Sequence, residues 1–305
     1  MPRPFRFGMV FTHGADTDGF ADLARGAEDD GFSTLLVADH LDNPMACGPL
    51  LMAAAAATST LRIGSYVYNN DLRHPAVLAK EAATIDVLSG GRLELGIGAG
   101  WNRPEYDQAG LAFDPPRTRV DRMEEGLGII EALFAGGPVH HDGPHYRLDG
   151  LEGTPRPVQE HIPILIGGGG PRMMGIAARR ADIVGFVPQS KREGGLDQAT
   201  VPAEVMDERI ATLDRAIADA GRTDGGPERS LLVFDLWRSP DEVLPDEMVP
   251  PEVVETSPYA LVGDPFAMVD VLEERRDRWG FSYIVCFAGD MNVDLFRAVV
   301  RKMTG

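Results

Sequence analysis

RIGSYVYNNDLRHPAVLAKEAATIDVLSGGRLELGIGAG, residues 62–100, contains one complete strand–helix–strand unit. Arg62 to Tyr68 is rich in β-branched and aromatic residues, a strand composition. Pro75 sits where a helix can start without using its missing N–H, and the run from Pro75 to Leu88 is stopped by Gly90-Gly91. Arg92 to Gly98 is the next strand, and the strands of this chain taken together read as continuous apolar runs more than as alternating ones. Strands of that kind are covered on both faces, so the two strands run parallel and the helix is their crossover.

The unit repeats outward in both directions. Upstream, strands are predicted over Phe5–Phe11 and Thr34–Ala38, with helices over Gly19–Asp30 and Pro49–Thr58. Downstream, a long helix is predicted over Thr118–Phe134. Strands follow over Ile162–Gly167, Asp182–Val187, Ser230–Trp237 and Tyr283–Ala288. The helices between and after them are Arg172–Arg180, Pro202–Ala220, Pro265–Trp279 and Val293–Met303. Gly136–Gly150, polar and rich in glycine, reads as a hairpin or excursion. Eight strands alternating with eight helices predict an α/β fold, a (β/α)8 TIM barrel spanning residues 1–305 as one domain. An open doubly wound sheet is the alternative. Ser190–Ala199 and Pro240–Pro258 stand out as inserted loops. Both follow the C-terminal ends of strands, the face on which barrels build active sites, so they are candidate lids or substrate walls.

Composition narrows the function. The 305 residues carry 47 acidic and 29 basic side chains, a formal charge of −18, with 44% hydrophobic residues to build a core. So negative a surface repels nucleic-acid phosphates and anionic lipid, which leaves a small-molecule substrate as the expected partner. Cys47 and Cys286 lie far apart without a CxxC spacing, so neither a disulfide framework nor a cysteine metal site is expected. The N-terminus lacks the basic and apolar regions of a signal peptide, and the apolar run Leu50–Ala57 is too short to span a bilayer. A cytoplasmic enzyme is the resulting expectation.

The strand ends supply the candidate site: His13; Asp39 and His40; Asn69 and Asn70; Gly100, Trp101 and Asn102; Gly167, Gly168, Gly169 and Gly170; Pro188 and Gln189; Trp237; Gly289 and Asp290. Four glycines between a strand and a helix that opens with Arg172 exceed what a plain turn needs. Their N–H groups, the helix dipole and the arginine together suit a phosphate. A second cluster, Gly96-Ile97-Gly98-Ala99-Gly100-Trp101, superficially resembles a dinucleotide fingerprint. It follows the fourth strand, and Trp101-Asn102-Arg103-Pro104 does not read as a helix, so that reading is rejected. Gly98 and Gly100 are expected instead to clear space for a flat ring, with Trp101 beside it. His40 is a candidate general acid or base, against the plainer reading of a histidine tied into its loop. His140, His141 and His145 read as a solvated turn, and no metal site is predicted.

These residues resemble a known family. His74-Pro75, Lys80 to Asp86, Leu88 to Arg92, Gly96 to Trp101, Val37 to Leu41, Gly167 to Arg172, Ala177 to Asp182 and Pro258 to Pro265 look like the luciferase-like oxidoreductases, in the right order along nearly the whole chain. The resemblance implies a TIM barrel binding coenzyme F420 or, alternatively, FMN at its C-terminal mouth. It implies that Gly167 to Gly170 hold the phosphate and that Asp39 and His40 match the Asp-His pair of the deazaflavin branch. It also places a non-proline cis peptide at Tyr66-Val67. The sugar-phosphate branch carries a glutamate where this chain has Trp101, so that substrate is not carried over. A polyanionic cofactor tail would need a basic rim, for which Arg73, Arg103 and Arg172 are available. The expected function is therefore an F420-dependent oxidoreductase transferring hydride to or from a small organic molecule, with an FMN monooxygenase as the alternative. A homodimer is left open.

Overall fold

A computed structural model describes residues 3–12, 19–243, 247–289 and 291–305; His13 and Asp290 lie outside the described residues. The eight barrel strands are Arg6–Phe11, Thr34–Val37, Arg62–Ser65 continued by Tyr68–Asn69, Leu93–Gly98, Ile164–Gly167, Ile183–Phe186, Glu228–Val233 and Phe281–Phe287. All pair in parallel with their sequence neighbours. The first pairs with the eighth, and the third joins the fourth through Ile63↔Leu93 and Gly64↔Glu94, so the sheet closes. The closed eight-stranded barrel borne out here is the one expected, and the open doubly wound sheet is set aside.

Helices α1 (Phe20–Asp29), α2 (Cys47–Ala57), α3 (Pro75–Ser89), α4 (Arg103–Ala109), α5 (Pro116–Ala135), α6 (Pro171–Arg180), α7 (Ala203–Asp219), α8 (Pro265–Trp279) and α9 (Val293–Thr304) cover the outside. Their boundaries follow local chemistry. α3 begins with Pro75 at its first turn, has His74 as N-cap, and ends at Gly90 with φ 69°. α8 is capped by Asp264, whose carboxylate accepts from the N–H groups of Phe266 and Ala267. Among the described residues no helix is long and apolar enough to cross a membrane.

Two apolar layers result. The larger lies between strands and helices, and includes Phe7, Leu35, Ile63, Leu95, Ile166 and Phe186. The smaller fills the barrel itself: Val10, Leu36, Leu165, Leu232, Tyr283 and Val285, with Tyr66 and Val67 packed against them. Below this plug, Arg6 reaches Glu94 at 2.7 Å and Glu228 at 2.8 Å, Arg62 meets Glu94 at 2.8 Å, and the Arg6 guanidinium lies 3.6 Å from the Tyr283 ring centre. That charged floor occupies the N-terminal end, where barrels keep stability rather than catalysis.

Three expectations need correction. The third strand is not continuous: it breaks between Ser65 and Tyr68, at the Tyr66-Val67 peptide, which is cis as the family resemblance implied. The seventh stops at Val233; Asp235–Trp237 leaves the barrel and pairs in parallel with Ala260–Val262, which removes Trp237 from the barrel-strand ends. And a helix, α4, does follow Trp101. Its sequence RPEYDQA is short, polar and opens with a proline, so no apolar periodicity marks it; only Glu105 and Tyr106 are buried. The excursion after α5 is an antiparallel hairpin, Pro138–Asp142 against Arg147–Glu152.

Candidate active site

The second strand delivers Asp39 and His40 to the mouth, and they do different work. Asp39 is 7% exposed and accepts a two-pronged pair of bonds from Arg73, at 2.7 and 2.9 Å, as well as the Asn69 N–H at 3.0 Å. It ties the end of strand two to the end of strand three. Three donors hold the carboxylate, which fixes its position between the two strand ends.

His40 is the mobile-proton candidate. Its Nδ1 faces Glu105 of α4, at 3.3 Å to Oε2 and 3.4 Å to Oε1. Glu105 is buried and also accepts the Leu41 N–H at 3.0 Å, which fixes the carboxylate. Burial pulls the His40 pKa down, but the hydrogen bond and charge of Glu105, with Asp42 and Asp39 nearby, outweigh it and raise the value above the ordinary one. With Nδ1 turned to the carboxylate, Nε2 is the nitrogen left for chemistry. Trp101 stands edge-on to the imidazole, ring centres 5.5 Å apart at 85°. The histidine is therefore tied to α4 through Glu105 rather than into its own loop. His40, Asp42 and Glu105 place ligand atoms within 4.8 Å of one another, yet Asp42 is exposed and the Glu105 contact is already used by His40.

Asn69 closes this side. Its Oδ1 accepts from the Tyr106 hydroxyl at 3.0 Å, whereas its Nδ2 is buried without an acceptor. A buried amide donor without a partner is what a ligand oxygen would satisfy. Beside it, the expectation for Gly98 and Gly100 needs revision. A Cβ at Gly98 would lie 2.7 Å from Val67 Cγ2, and one at Gly100 would strike the Tyr106 hydroxyl and lie 2.6 Å from Asn69 Oδ1. The room these glycines leave is taken by protein atoms, because the broken third strand presses against the fourth. Tyr66 turns its ring into the barrel plug rather than outward.

The glycine run is open and half-exposed. Among the described residues no protein acceptor takes the N–H of Gly168, Gly169 or Gly170. Gly168 has φ +139°, a backbone that side-chain-bearing residues rarely adopt. Gln189 Nε2 donates to Gly169 O at 2.9 Å. Since the N–H of a trans peptide points opposite its C=O, the Gly170 N–H is turned away from Gln189. The run, followed by the N-terminus of α6, presents backbone N–H groups of the kind an anion accepts from.

The arginine expected beside the run already has acidic partners. Arg172 is 44% exposed and pairs with Asp121 and Glu124 of α5. Arg73 is spent on Asp39 and Arg103 on Asp107 at 3.3 Å, so none of the three rim arginines is free. What lies against the run is Arg209 of α7, whose Nη2 sits 2.8 Å from where a Gly169 Cβ would be. Sequence reasoning missed both Glu105 and Arg209. Arg209 left one signal: it falls three residues after Met206 and four before Leu213, on the buried face of α7. Glu105 left none.

Two clefts flank the site. One of about 370 Å³ is lined by Arg73, His74, Tyr106, Arg122 and Tyr146, and one of about 280 Å³ separates Asn102–Pro104 from Glu193–Gly195. The second shows the inserted loop after strand six reaching over the base of α4.

The family described as luciferase-like monooxygenase matches residues 4–280. The chain is 32% identical over 253 residues, 77% of its length and 73% of the relative's, to an F420-dependent glucose-6-phosphate dehydrogenase of Nakamurella multipartita. It is 27% identical, over 88% of each chain, to a 5,10-methylenetetrahydromethanopterin reductase of Methanopyrus kandleri. The solved structure of the coenzyme F420-dependent tetrahydromethanopterin reductase from that organism superposes with a TM-score of 0.81 at 21% identity, covering 99% of this chain and 100% of the other.

Proposed function

The chain belongs to the luciferase-like monooxygenase family, and from that premise we propose that it is an F420-dependent oxidoreductase that moves hydride between reduced deazaflavin and a small organic substrate. The observation that carries the reading is the His40–Glu105 pair on the same barrel face as a glycine run whose N–H groups take no acceptor among the described residues. When bound, F420 supplies the hydride at its ring carbon.

The residues of this chain do the rest. The N–H groups of Gly168, Gly169 and Gly170 receive the cofactor phosphate. Asn69 Nδ2 offers its unused donor to an acceptor in the mouth. The Asp39–Arg73 bond keeps Asn69 in place by locking the ends of strands two and three together. Reduction of a polarised double bond would need a proton, which His40 Nε2 would hold, with Glu105 keeping the imidazolium favoured. Trp101 covers one side of the imidazole and limits water there.

Titration of the purified protein with F420 and with FMN, followed by fluorescence quenching, tests the reading. Saturable quenching of F420 at micromolar concentration is expected. Binding of FMN alone, with oxygen consumed when the flavin is reduced, would instead mark a monooxygenase.

A further inference from the structure

Arg209 has no place in the chemistry so far; like Arg119 and Arg275 it is buried without an ion pair to a described carboxylate, and of the three it is the one that lies against the glycine run. It is 4% exposed. Its Nη1 donates to Val187 O at 2.8 Å and to the Tyr259 hydroxyl, and its Cζ lies 4.9 Å from the centre of the Phe186 ring. Its Nε and Nη2 have no hydrogen-bond partner among the described residues. No carboxylate of the described residues pairs with it, in a chain that carries 47 acidic side chains. A buried guanidinium in that state is costly, because it has left water without gaining a counter-charge. The unsatisfied Nη2 lies against Gly169, the middle of the glycine run. Gln189 Cγ comes within 2.7 Å of the same Cβ position, so only glycine fits between the arginine and the glutamine.

We propose that Arg209 is the counter-charge of the anion cradle: a phosphate group held by the N–H groups of Gly168 to Gly170 is drawn by the guanidinium directly behind Gly169. The proposal rests on the reading of the glycine run as a phosphate cradle. Three features then have one cause. The arginine is left without a carboxylate because its counter-charge arrives with the ligand. Gly169 is glycine because the guanidinium must come this close. And Arg172, paired with α5, is not needed. Burial strengthens the effect, since a charge in a low-dielectric wall acts on a neighbouring anion with little screening.

The test uses the whole protein without added cofactor, as wild type, Arg209→Met and Arg209→Lys. Thermal unfolding is recorded in inorganic phosphate and in sodium chloride of equal ionic strength. Wild type is expected to gain stability in phosphate beyond the general salting effect, Arg209→Lys to keep part of that gain, and Arg209→Met to lose it. In chloride, Arg209→Met should unfold no lower than wild type, because an unpaired buried charge has been replaced by an apolar chain of similar length. F420 affinity, read by fluorescence quenching, should fall about tenfold or more in Arg209→Met. Retention of the phosphate gain with a lower melting temperature in chloride would overturn the proposal and make Arg209 a tie between Val187 and Tyr259. If wild type itself gains nothing in phosphate yet quenches F420, both the cradle reading and the proposal fail. Loss of the phosphate gain with F420 affinity unchanged would assign the site to free phosphate or a substrate phosphate rather than to the cofactor.

Discussion

A histidine whose protonated form is favoured by a buried carboxylate announces itself in its titration. For His40 the folded-state pKa lies above the unfolded one, so its contribution to stability is complete below about pH 6.5 and is lost as pH rises through the raised value. The proton available at Nε2 follows the same curve, so turnover in the reductive direction should fall on the alkaline side of that pKa. Glu105→Gln should move this limb downward in pH, since the largest favourable influence on the imidazolium is gone. His40→Ala should lower turnover by about 10² to 10⁴ with F420 affinity changed far less. Turnover within about threefold of wild type would reduce His40 to a loop histidine. An equally steep fall in affinity would make it a cofactor contact.

At the scale of the element, the loop between strand five and α6 is specified by what glycine permits. Gly168 holds φ +139°, and a Cβ there would meet Met173 at 3.2 Å. Gly168→Val therefore combines backbone strain with a bulky group beside the cradle, and F420 affinity should weaken by about tenfold or more. Unchanged affinity by fluorescence titration would place the phosphate elsewhere. The neighbouring element, α4, was invisible for a physical reason. Seven residues with two buried positions cannot display a helical period, and its stability comes from Tyr106 and Glu105 docking onto strand ends three and two. The break in strand three was legible only through the resemblance, which placed a cis peptide at Tyr66-Val67: by composition both are good strand residues, and they pack into the barrel plug and onto Gly96 and Gly98.

Across the whole molecule, the two ends of the barrel are expected to behave as separate compartments. Glu94 is 3% exposed and compensates both Arg6 and Arg62 at the floor. Glu94→Ala should destabilise the fold by about 1–3 kcal/mol, because Arg62 loses its carboxylate while Arg6 keeps only Glu228. Urea unfolding would measure that loss, while F420 affinity at the opposite end should stay within about threefold. A matched collapse of both would mean that the floor shapes the mouth.

The sequence by itself determined the barrel, since eight apolar strands separated by capped helices leave few other ways to bury that surface. It also determined the glycine run and the position of Asp39-His40, because strand ends and glycine-only backbone are local properties written in consecutive residues. Only the tertiary structure decided which charges serve which partners. Arg172, the obvious cation by proximity in sequence, turned to α5, while Arg209, 40 residues beyond Gly169, came to lie behind it. Glu105 reached His40 across 65 positions in the same way. Side-chain pairing depends on distances between elements, and those distances are fixed by how helices pack around the closed barrel.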